Sequence, residues 1–593
     1  MTTNHWPDTK KIEHGYFTLD LAKNAIRNIR YKNSLIIDQL YTSIRPLDWS
    51  TLTSDQHIDN IEIIDDVCKI HITDSFFDTL ISQTSITIDS SNTLTIDYEL
   101  RGLADYSVSR WGICFCLNTS DWMGANVTSS TGEYLLPIDI APQRVEAGAT
   151  LGLFPPSSEM IFRANDGRAL TATSVGRALE AEDQRNWTDN TYKIYSGSLA
   201  EPRPFNTSNG SSWKQSITFQ VSAPLDENDD ISKIQVIEIS SLPRIGLQFN
   251  EDSLLGEDDL TKAFILLDID HIRINEESFD PQKILAATRN GLTIEAALFS
   301  DNSDLELHED ILEINNMIPA GSRLLVHRQG REVVEFSDLP KNNSLSAFIP
   351  GTDAYFVDLH RAQYNFAESV SYSISPTVHT FDTETIFKTL RTQTESVEAA
   401  KKNLAPQVFI SPITFSTRGN PETGHQKSFR KFYSNSEIAL SIRNIEAAAW
   451  TLGSIFALAE AGAHAGTWHE LFGEFGIVYQ HEGAVRFCPV FHALSALAAH
   501  HTEGLRLTRS ADNSWVAFEN RELGRMLLAS LRPWDQEIPA ELLLGYQCIQ
   551  RLRGEDCERA SKIMDWWSYI ETKPLTSELS LTLSPFEIVF IKG

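Results

Sequence analysis

The sequence predicts an α/β TIM barrel, (β/α)8, flanked by an N-terminal antiparallel β-sandwich domain and a small C-terminal β-sandwich domain. Three patterns lead to this prediction. Residues 34–235 alternate between polar and apolar side chains, short apolar stretches separated by helix-length segments follow, and strand-like stretches return in the tail. These patterns are typical of antiparallel strands, of parallel β/α units and of a further antiparallel sheet. A chain of 593 residues has room for three domains, which we place at residues 1–235, 236–500 and 501–593.

The first domain shows its strands most directly. Residues 85–89 and 93–98 alternate on either side of Ser90-Ser91-Asn92, which predicts a hairpin, and residues 213–221 alternate in the same way. Many short strands with irregular connections are typical of an antiparallel sandwich.

The barrel is predicted from eight β/α alternations. The expected strands lie at 245–249, 264–274, 293–299, 323–327, 354–360, 371–378, 408–415 and 465–470. The expected helices include 384–404, 435–461 and 489–500. The tail has strand patterns at 514–518, 525–530 and 579–591, which we expect strands from the N-terminal part to complete.

Active sites of TIM barrels lie at the carboxyl ends of the strands. The polar residues at the predicted strand ends are Arg273, Asp358, His360, Arg361, His379, Asp382, Arg418, His469 and Glu470, and Trp468 beside the last two is a further candidate for substrate binding. Carboxylates and histidines are suited to proton transfer, and arginines to holding developing negative charge. Each of these side chains could instead form an ion pair that closes the barrel or cap a strand end.

A dense polar run lies in the first domain. It contains Glu182, Asp183, Arg185, Asn186, Trp187 and Asp189. Carboxylates accept hydrogen bonds from hydroxyl groups, Arg and Asn donate them, and an indole packs on C–H groups, so the set suits a polyhydroxylated ligand. The alternative is a buried network of ion pairs and hydrogen bonds that stabilises the fold (the bracing alternative).

The same run, Glu182-Asp183-Gln184-Arg185-Asn186-Trp187-Thr188-Asp189, resembles the signature of the D-apionate lactonase family. Weaker resemblances follow in the family's order, so that the likeness spans roughly residues 30–593. They lie at 44–51, 136–143, 271–273, 375–382, 418–421 and 467–470. The family element Phe-Thr-Glu-Leu-Asn-Arg reads here Phe356-Val357-Asp358-Leu359-His360-Arg361, so two of its positions have changed.

The resemblance implies a hydrolase that opens D-apionolactone or a related aldonolactone to the free sugar acid. In that reaction we expect Glu470 to act as general base, Arg418 or Arg361 to hold the oxyanion, and His379 or Asp358 to act as the acid. The polar run would bind hydroxyl groups over the mouth of the barrel. On the predicted fifth strand, Asp358 and His360 would face the same way, and their departure from the family pattern would alter substrate preference.

Two other functions stay open. A glycoside hydrolase could use Asp358 and Glu470 as its carboxylate pair, although these lie on the fifth and eighth predicted strands rather than on the fourth and seventh that such enzymes use. A sensor for sugar acids could keep the binding run and lack the chemistry. No Gly-x-Ser-x-Gly elbow is present, which makes an α/β-hydrolase esterase a poor fit.

The charge and the remaining motifs limit the partners. A net charge of −30 disfavours nucleic acid and anionic membrane surfaces, so the expected partner is a small-molecule sugar lactone, and a homo-oligomer is left open. The six cysteines show no zinc spacing, and nothing in the sequence demands a metal or another cofactor. Without an apolar segment at its start, the chain is expected to be cytoplasmic.

Overall fold

The structure, a computed structural model, describes the chain in segments. These are residues 9–47, 49, 52, 54–89, 92–146, 149–224, 234–239, 241–300, 304–328, 347–362, 368–379, 382–415, 442–499, 505–575 and 580–593. The chain divides into two compact units, one of them Pro7–Asp229 and the other Met1–Trp6 together with Asp230–Gly593.

The first unit is built from two large antiparallel sheets. In spatial order the eight-stranded sheet contains Thr9–His14, Phe17–Ala22, Ala25–Tyr31, Ser34–Pro46, Tyr106–Asn118, Thr191–Ser196 and Leu179–Asp183, with Phe205–Thr207 also on Tyr106–Asn118. The nine-stranded sheet contains Gly132–Leu135, Asn126–Ser129, Glu159–Arg163, Ala169–Val175, Ser212–Ser222, Thr93–Gly102, Leu80–Asp89, Val67–Phe76 and Asp55–Ile64. Smaller elements are the pair Val145–Glu146 and Ala149–Thr150, the helix Thr119–Trp122 and the 3-10 turn Gln184–Trp187.

Alternation explains why these strands form a sandwich. Successive side chains of a strand point to opposite faces, so every second residue of each sheet enters one shared core. Phe115 of one sheet meets Phe219 of the other edge-to-face at 5.0 Å, and both are fully buried. The predicted hairpin is present, since Leu80–Asp89 and Thr93–Gly102 pair in antiparallel register.

The second unit contains a parallel barrel. Its strands, numbered β1 to β8 in chain order, are Arg244–Gln248, His271–Asn275, Thr293–Ser300, Arg323–Arg328, Ala347–Pro350, Ser369–Ile374, Gln407–Ile413 and Ala465–Phe472. β8 pairs with β1, and a bridge between Gly351 and Ser371 joins β5 to β6, so the strands form a nearly closed ring. Among the described residues of this unit, the helices up to the last barrel helix are Glu257–Leu267, Pro281–Arg289, Asp304–Met317, Phe356–Ala362, Thr383–Asn403, Ile445–Ala461 and Pro489–Ala498.

Two predicted strands were wrong. The stretch 354–360 is mostly the helix Phe356–Ala362, and β5 is the earlier Ala347–Pro350. The stretch 264–274 begins in the helix Glu257–Leu267, and only its end is strand. Both errors have one cause, because a short apolar run is compatible with a strand or with the buried face of a helix.

The tail forms a further antiparallel sheet. Its spatial order is Ile234–Glu238, Arg506–Ser510, Trp515–Asn520, Arg525–Ser530, Ile588–Lys592, Cys548–Leu552 and Lys573–Pro574. The predicted strand 579–591 is two strands, Ser580–Leu583, which pairs with Gln536–Pro539, and Ile588–Lys592. Further elements among the described residues of this unit are the hairpin Gly476–His481 and Ala484–Phe487, the helices Cys557–Ala560 and Trp566–Tyr569, and the 3-10 turns Glu276–Ser278, Ala540–Leu543 and Gly554–Asp556.

The strand that completes this sheet, Ile234–Glu238, precedes the barrel in the chain. The predicted fold class, a TIM barrel with antiparallel sheets on both sides of it in sequence, is confirmed. None of the helices in the described part of the chain has the length and hydropathy of a membrane span.

Close packing inside the barrel gives a first testable prediction. A Cβ atom on Gly246 of β1 would overlap the imidazole of the fully buried His271. Gly246→Ala should therefore lower the free energy of unfolding by about 1–3 kcal/mol, the usual cost of overpacking, as measured by urea denaturation. The control is Gly554→Ala, whose Cβ would meet only Ile445 at 3.7 Å. Equal stability of the two variants would contradict the packing argument.

Candidate active site

A buried guanidinium organises the lumen of the barrel. Arg273 of β2 is fully buried, and its Nη2 lies 2.6 Å from Oδ1 of Asp353, just beyond β5. Its Nη1 donates to Ser411 Oγ of β7 at 3.0 Å, and its Nε donates to Asn275 Oδ1 at 3.2 Å. These bonds connect β2, β5 and β7 around one charge.

A second carboxylate lies deeper in the lumen. Glu295 of β3 accepts hydrogen bonds from Ser411 and, at 2.8 Å, from Thr467 of β8. Burial alone would raise the pKa of Glu295, but the charges of His271 and Arg323 and the bond from Ser411 bring that pKa below its ordinary value. The lumen therefore holds ionised groups that are matched to one another.

Glu470 lies near the carboxyl end of β8, as predicted. It is 9% exposed, and Nδ2 of Asn250, which follows β1, lies 3.1 and 3.3 Å from its two carboxylate oxygens. In the pairing of β8 with β1, Leu247 is opposite Trp468 and Gln248 is opposite Glu470, so His469 is an extra residue in a bulge. Bulges commonly redirect a side chain next to a functional site.

The two residues before Glu470 pack against the helix Ile445–Ala461. Trp468 is fully buried and donates from Nε1 to Ser454 Oγ at 3.1 Å. His469 Nε2 lies 2.9 Å from Thr451 Oγ1, and burial lowers the pKa of His469 to about 3. These contacts give both side chains a packing role, and their contact with substrate stays a prediction.

The corrected fifth strand changes the setting of Asp358, His360 and Arg361. All three lie on the helix Phe356–Ala362, where Arg361 Nη1 is 3.4 Å from Asp358 Oδ1 and the ring of His360 is 4.9 Å from that of Phe356. Helical positions two apart point about 200° away from each other, so the expectation that Asp358 and His360 face the same way was wrong. The carboxylate that follows β5 is Asp353.

Two further candidates, His379 and Asp382, belong to loops. His379 is half-buried in the loop after β6. Asp382 caps the helix Thr383–Asn403, accepting from the backbone N–H of Thr385 at 2.9 Å and from its hydroxyl at 3.1 Å. Arg418 lies outside the described residues. The catalytic role of His379 and the substrate contacts of the other two stay predictions.

In the first unit, the polar run binds the earlier segment 137–141. Both carboxylate oxygens of Asp183 accept from Arg185, at 2.9 and 2.8 Å. The same guanidinium donates to the carbonyl groups of Pro137, Ile138 and Asp139 at 2.8–3.1 Å. Arg185 is 1% exposed, so its charge is neutralised inside the fold.

The rest of the run is buried as well. Asn186 donates to the carbonyl of Ala141 at 2.7 Å, Asp189 lies 2.5 Å from Lys193, and Glu182 lies 2.6 Å from Arg110. Trp187 is 8% exposed. The geometry thus matches the bracing alternative, while contact of the run with a ligand stays a prediction.

Sequence reasoning missed Asn250, Asp353, Glu295 and Ser411. Asn250 follows β1 and could have been found if neutral residues at strand ends had been considered. Asp353 follows β5 and could have been found if the fifth strand had been placed correctly. Glu295 and Ser411 lie within strands, where only the alternation of inward positions would indicate them. Among the described residues, no group of three or more His, Cys, Asp and Glu side chains is placed to hold a metal ion.

The buried Arg185 gives a prediction about stability. Arg185→Met removes a guanidinium, so that the buried Asp183 loses its ion pair and three carbonyl groups lose the hydrogen bonds from Arg185. The free energy of unfolding should therefore fall by about 3–5 kcal/mol. Chemical denaturation measures this loss. Arg163→Met is the control, because Arg163 is exposed and donates only to Thr128 at 3.2 Å. A small loss at Arg185, together with weaker ligand binding, would instead favour the ligand-surface interpretation.

The buried His469 gives a prediction about pH. Its pKa is about 3 in the folded protein, whereas an unfolded histidine titrates near 6.5, so the unfolded state binds more protons between these values. The stability this group contributes is fully present above a pH of about 6.5 and is lost as the pH falls, by about 1.4 kcal/mol per unit. In His469→Gln the free energy of unfolding should depend less steeply on pH, by the equivalent of about one bound proton. Urea denaturation between about pH 6 and 4 measures this slope. The exposed His57→Gln should leave the slope unchanged, and an unaltered slope in His469→Gln would contradict the burial argument.

Known proteins match both units. Residues 1–224 match the family model of the D-apionate lactonase N-terminal domain, and residues 346–502 match that of the D-apionate lactonase TIM barrel domain. A D-apionate lactonase from Brucella anthropi is 25% identical over 223 residues, which are 36% of this chain and 35% of the relative. The chain therefore spans about a third of the length of the curated relative that it matches.

Solved structures with likeness to the chain include two glycosidases. An α-L-arabinofuranosidase from Thermotoga maritima in an arabinose complex has 11% identity and a TM-score of 0.38, covering 60% of this chain and 98% of that one. A family 39 glycoside hydrolase from Bacteroides cellulosilyticus has 10% identity and a TM-score of 0.36, covering 75% and 96%. The family assignment comes from the matched domains: with more than half of its residues in two domains of one family, the chain belongs to the D-apionate lactonase family.

Proposed function

We propose that this protein hydrolyses the internal ester of a sugar-acid lactone and releases the free aldonate for sugar catabolism. Membership of the D-apionate lactonase family through both an N-terminal and a barrel domain is the observation that carries the proposal. A carboxylate at the strand ends of the barrel, where enzymes of this fold place their active sites, supports it.

The reaction requires three acts. A water molecule attacks the carbonyl carbon and transfers a proton to a base, the developing oxyanion is held, and the ring oxygen takes up a proton as its bond to carbon breaks. We assign the first act to Glu470, whose two oxygens lie 3.1 and 3.3 Å from the Asn250 amide. Arg418 or Arg361 would hold the oxyanion, and His379 or Asp358 would supply the proton.

The proposed substrate is D-apionolactone or a related aldonolactone. A lactone is neutral, whereas its product carries a carboxylate. With a net charge of −30, the protein attracts no anion over long distances, so charge favours release of the product over its retention. Because Asp358 and His360 depart from the family pattern, the ranking of lactones is expected to differ from that of other members.

A pH-stat assay for acid release, with NMR to follow cleavage of glycosides, tests this function directly. D-apionolactone, other five-carbon and six-carbon aldonolactones and aryl glycosides are compared at equal concentration. Acid release from at least one lactone above its spontaneous rate is the expected result. Cleavage of aryl glycosides without lactone opening would overturn the proposal, and binding of lactones without turnover would indicate a sensor.

The base gives the sharpest prediction. Glu470→Gln should lower kcat by roughly 100-fold or more, because an amide cannot take the proton from water, while circular dichroism and the melting temperature stay close to those of the parent. Glu474→Gln, at an exposed position four residues later, is the matched control and should keep full activity. Near-parental turnover in Glu470→Gln would refute the assignment.

A further inference from the structure

Asn250 connects the ends of three adjacent barrel strands. It follows β1, its Nδ2 lies 3.1 and 3.3 Å from the two carboxylate oxygens of Glu470 on β8, and its Oδ1 accepts from the backbone N–H of Asn275 on β2 at 2.9 Å. Its own carbonyl accepts from Lys283 Nζ at 2.6 Å. Asn250 is thus fixed through its side chain and through its backbone.

The orientation of this amide follows from chemistry. A backbone N–H can only donate, so the atom of Asn250 that faces Asn275 must be the oxygen. The NH2 group of the amide then faces Glu470, whose two carboxylate oxygens accept from it. The two bonds to Asn275 and Glu470 are consistent only with one orientation of the amide.

We propose that Asn250 is a positioning residue for Glu470, an inference that rests on the proposed function. Donation to both oxygens holds the carboxylate in one plane and stabilises its ionised form, since a hydrogen bond to the charged state favours that state. A general base must be both ionised and aimed at the water it activates. The Asn250 amide supplies both conditions without adding a charge.

Other charged groups lie close to Asn250 and Glu470 and also influence the titration of Glu470. Lys283 Nζ contacts the Asn250 carbonyl and lies 3.7 Å from Asp252 Oδ1. The side chain of Glu251 packs against Gly473, beyond β8. These groups remain in every variant below, so a change in titration is attributable to position 250.

The decisive variant is Asn250→Asp. It keeps the size of the side chain and an oxygen for the N–H of Asn275, but it places a carboxylate where the amide donated to Glu470. The second negative charge disfavours ionisation of Glu470, so the acid limb of the pH–rate profile should move up by about one pH unit or more. At neutral pH, kcat should fall about tenfold or more, with KM changed much less.

Two further variants complete the design. Asn250→Ser shortens the side chain so that it no longer reaches Glu470, and it should lower kcat about tenfold with a smaller shift of the acid limb. It also serves if Asn250→Asp does not fold. Asn290→Asp is the matched control, because Asn290 bonds only within its own helix end, to Ala286 at 2.7 Å, and it should leave the profile unchanged.

A direct titration separates this inference from the proposed function. Carboxyl carbon NMR of protein labelled at glutamate, with the Glu470 signal assigned from its loss in Glu470→Gln, follows ionisation without any substrate. A midpoint for Glu470 that is higher in Asn250→Asp than in the parent and in Asn290→Asp supports the inference. An unchanged midpoint, or an unchanged profile in both position-250 variants, overturns it. If the parent opens no lactone, the proposed function fails, while the titration still decides whether Asn250 controls Glu470.

Discussion

The pairing of the buried Arg273 guanidinium is the interaction on which the barrel interior depends. An arginine cannot lose its proton in a protein, so a fully buried one must find acceptors. Arg273 finds them in Asp353, Ser411 and Asn275, which belong to three different strands or strand ends. Its burial therefore fixes where those strands end relative to one another. The positions of the strand ends in turn determine the positions of the polar side chains at the mouth of the barrel.

In the first unit, the buried Arg185 also needs acceptors for its guanidinium group. Arg185 is paired with Asp183 and with three carbonyl groups of the segment 137–139. Two of the stretches that resemble the family in sequence thus bind each other in space. A sequence signature of this kind is explained by folding, because each half would leave buried charge or buried carbonyl groups unsatisfied without the other.

The sequence was sufficient to predict the barrel, the sandwich and the position of Glu470, because these depend on periodicity and on strand ends. It was insufficient for the fifth strand, since the short apolar run within 354–359 is compatible with a strand and with the buried face of a helix. Asn250 was missed for a different reason. Its importance comes from Glu470, 220 positions later in the chain, and a neutral amide gives no signal of such a partner.

The bulge at His469 shows how packing outside the lumen reaches the candidate base. His469 has a φ of 44°, a conformation that costs a non-glycine residue of order 1–3 kcal/mol and persists only where the surroundings impose it. Those surroundings are visible: Trp468 bonds to Ser454, and His469 bonds to Thr451 and stacks on Phe415 at 5.6 Å. Trp468 and His469 are both held against the helix Ile445–Ala461. The extra residue, His469, therefore allows the next side chain, Glu470, to face Asn250 at the strand ends. The direction of the carboxylate is therefore set from two sides, by the amide in front of it and by the helix contacts behind it.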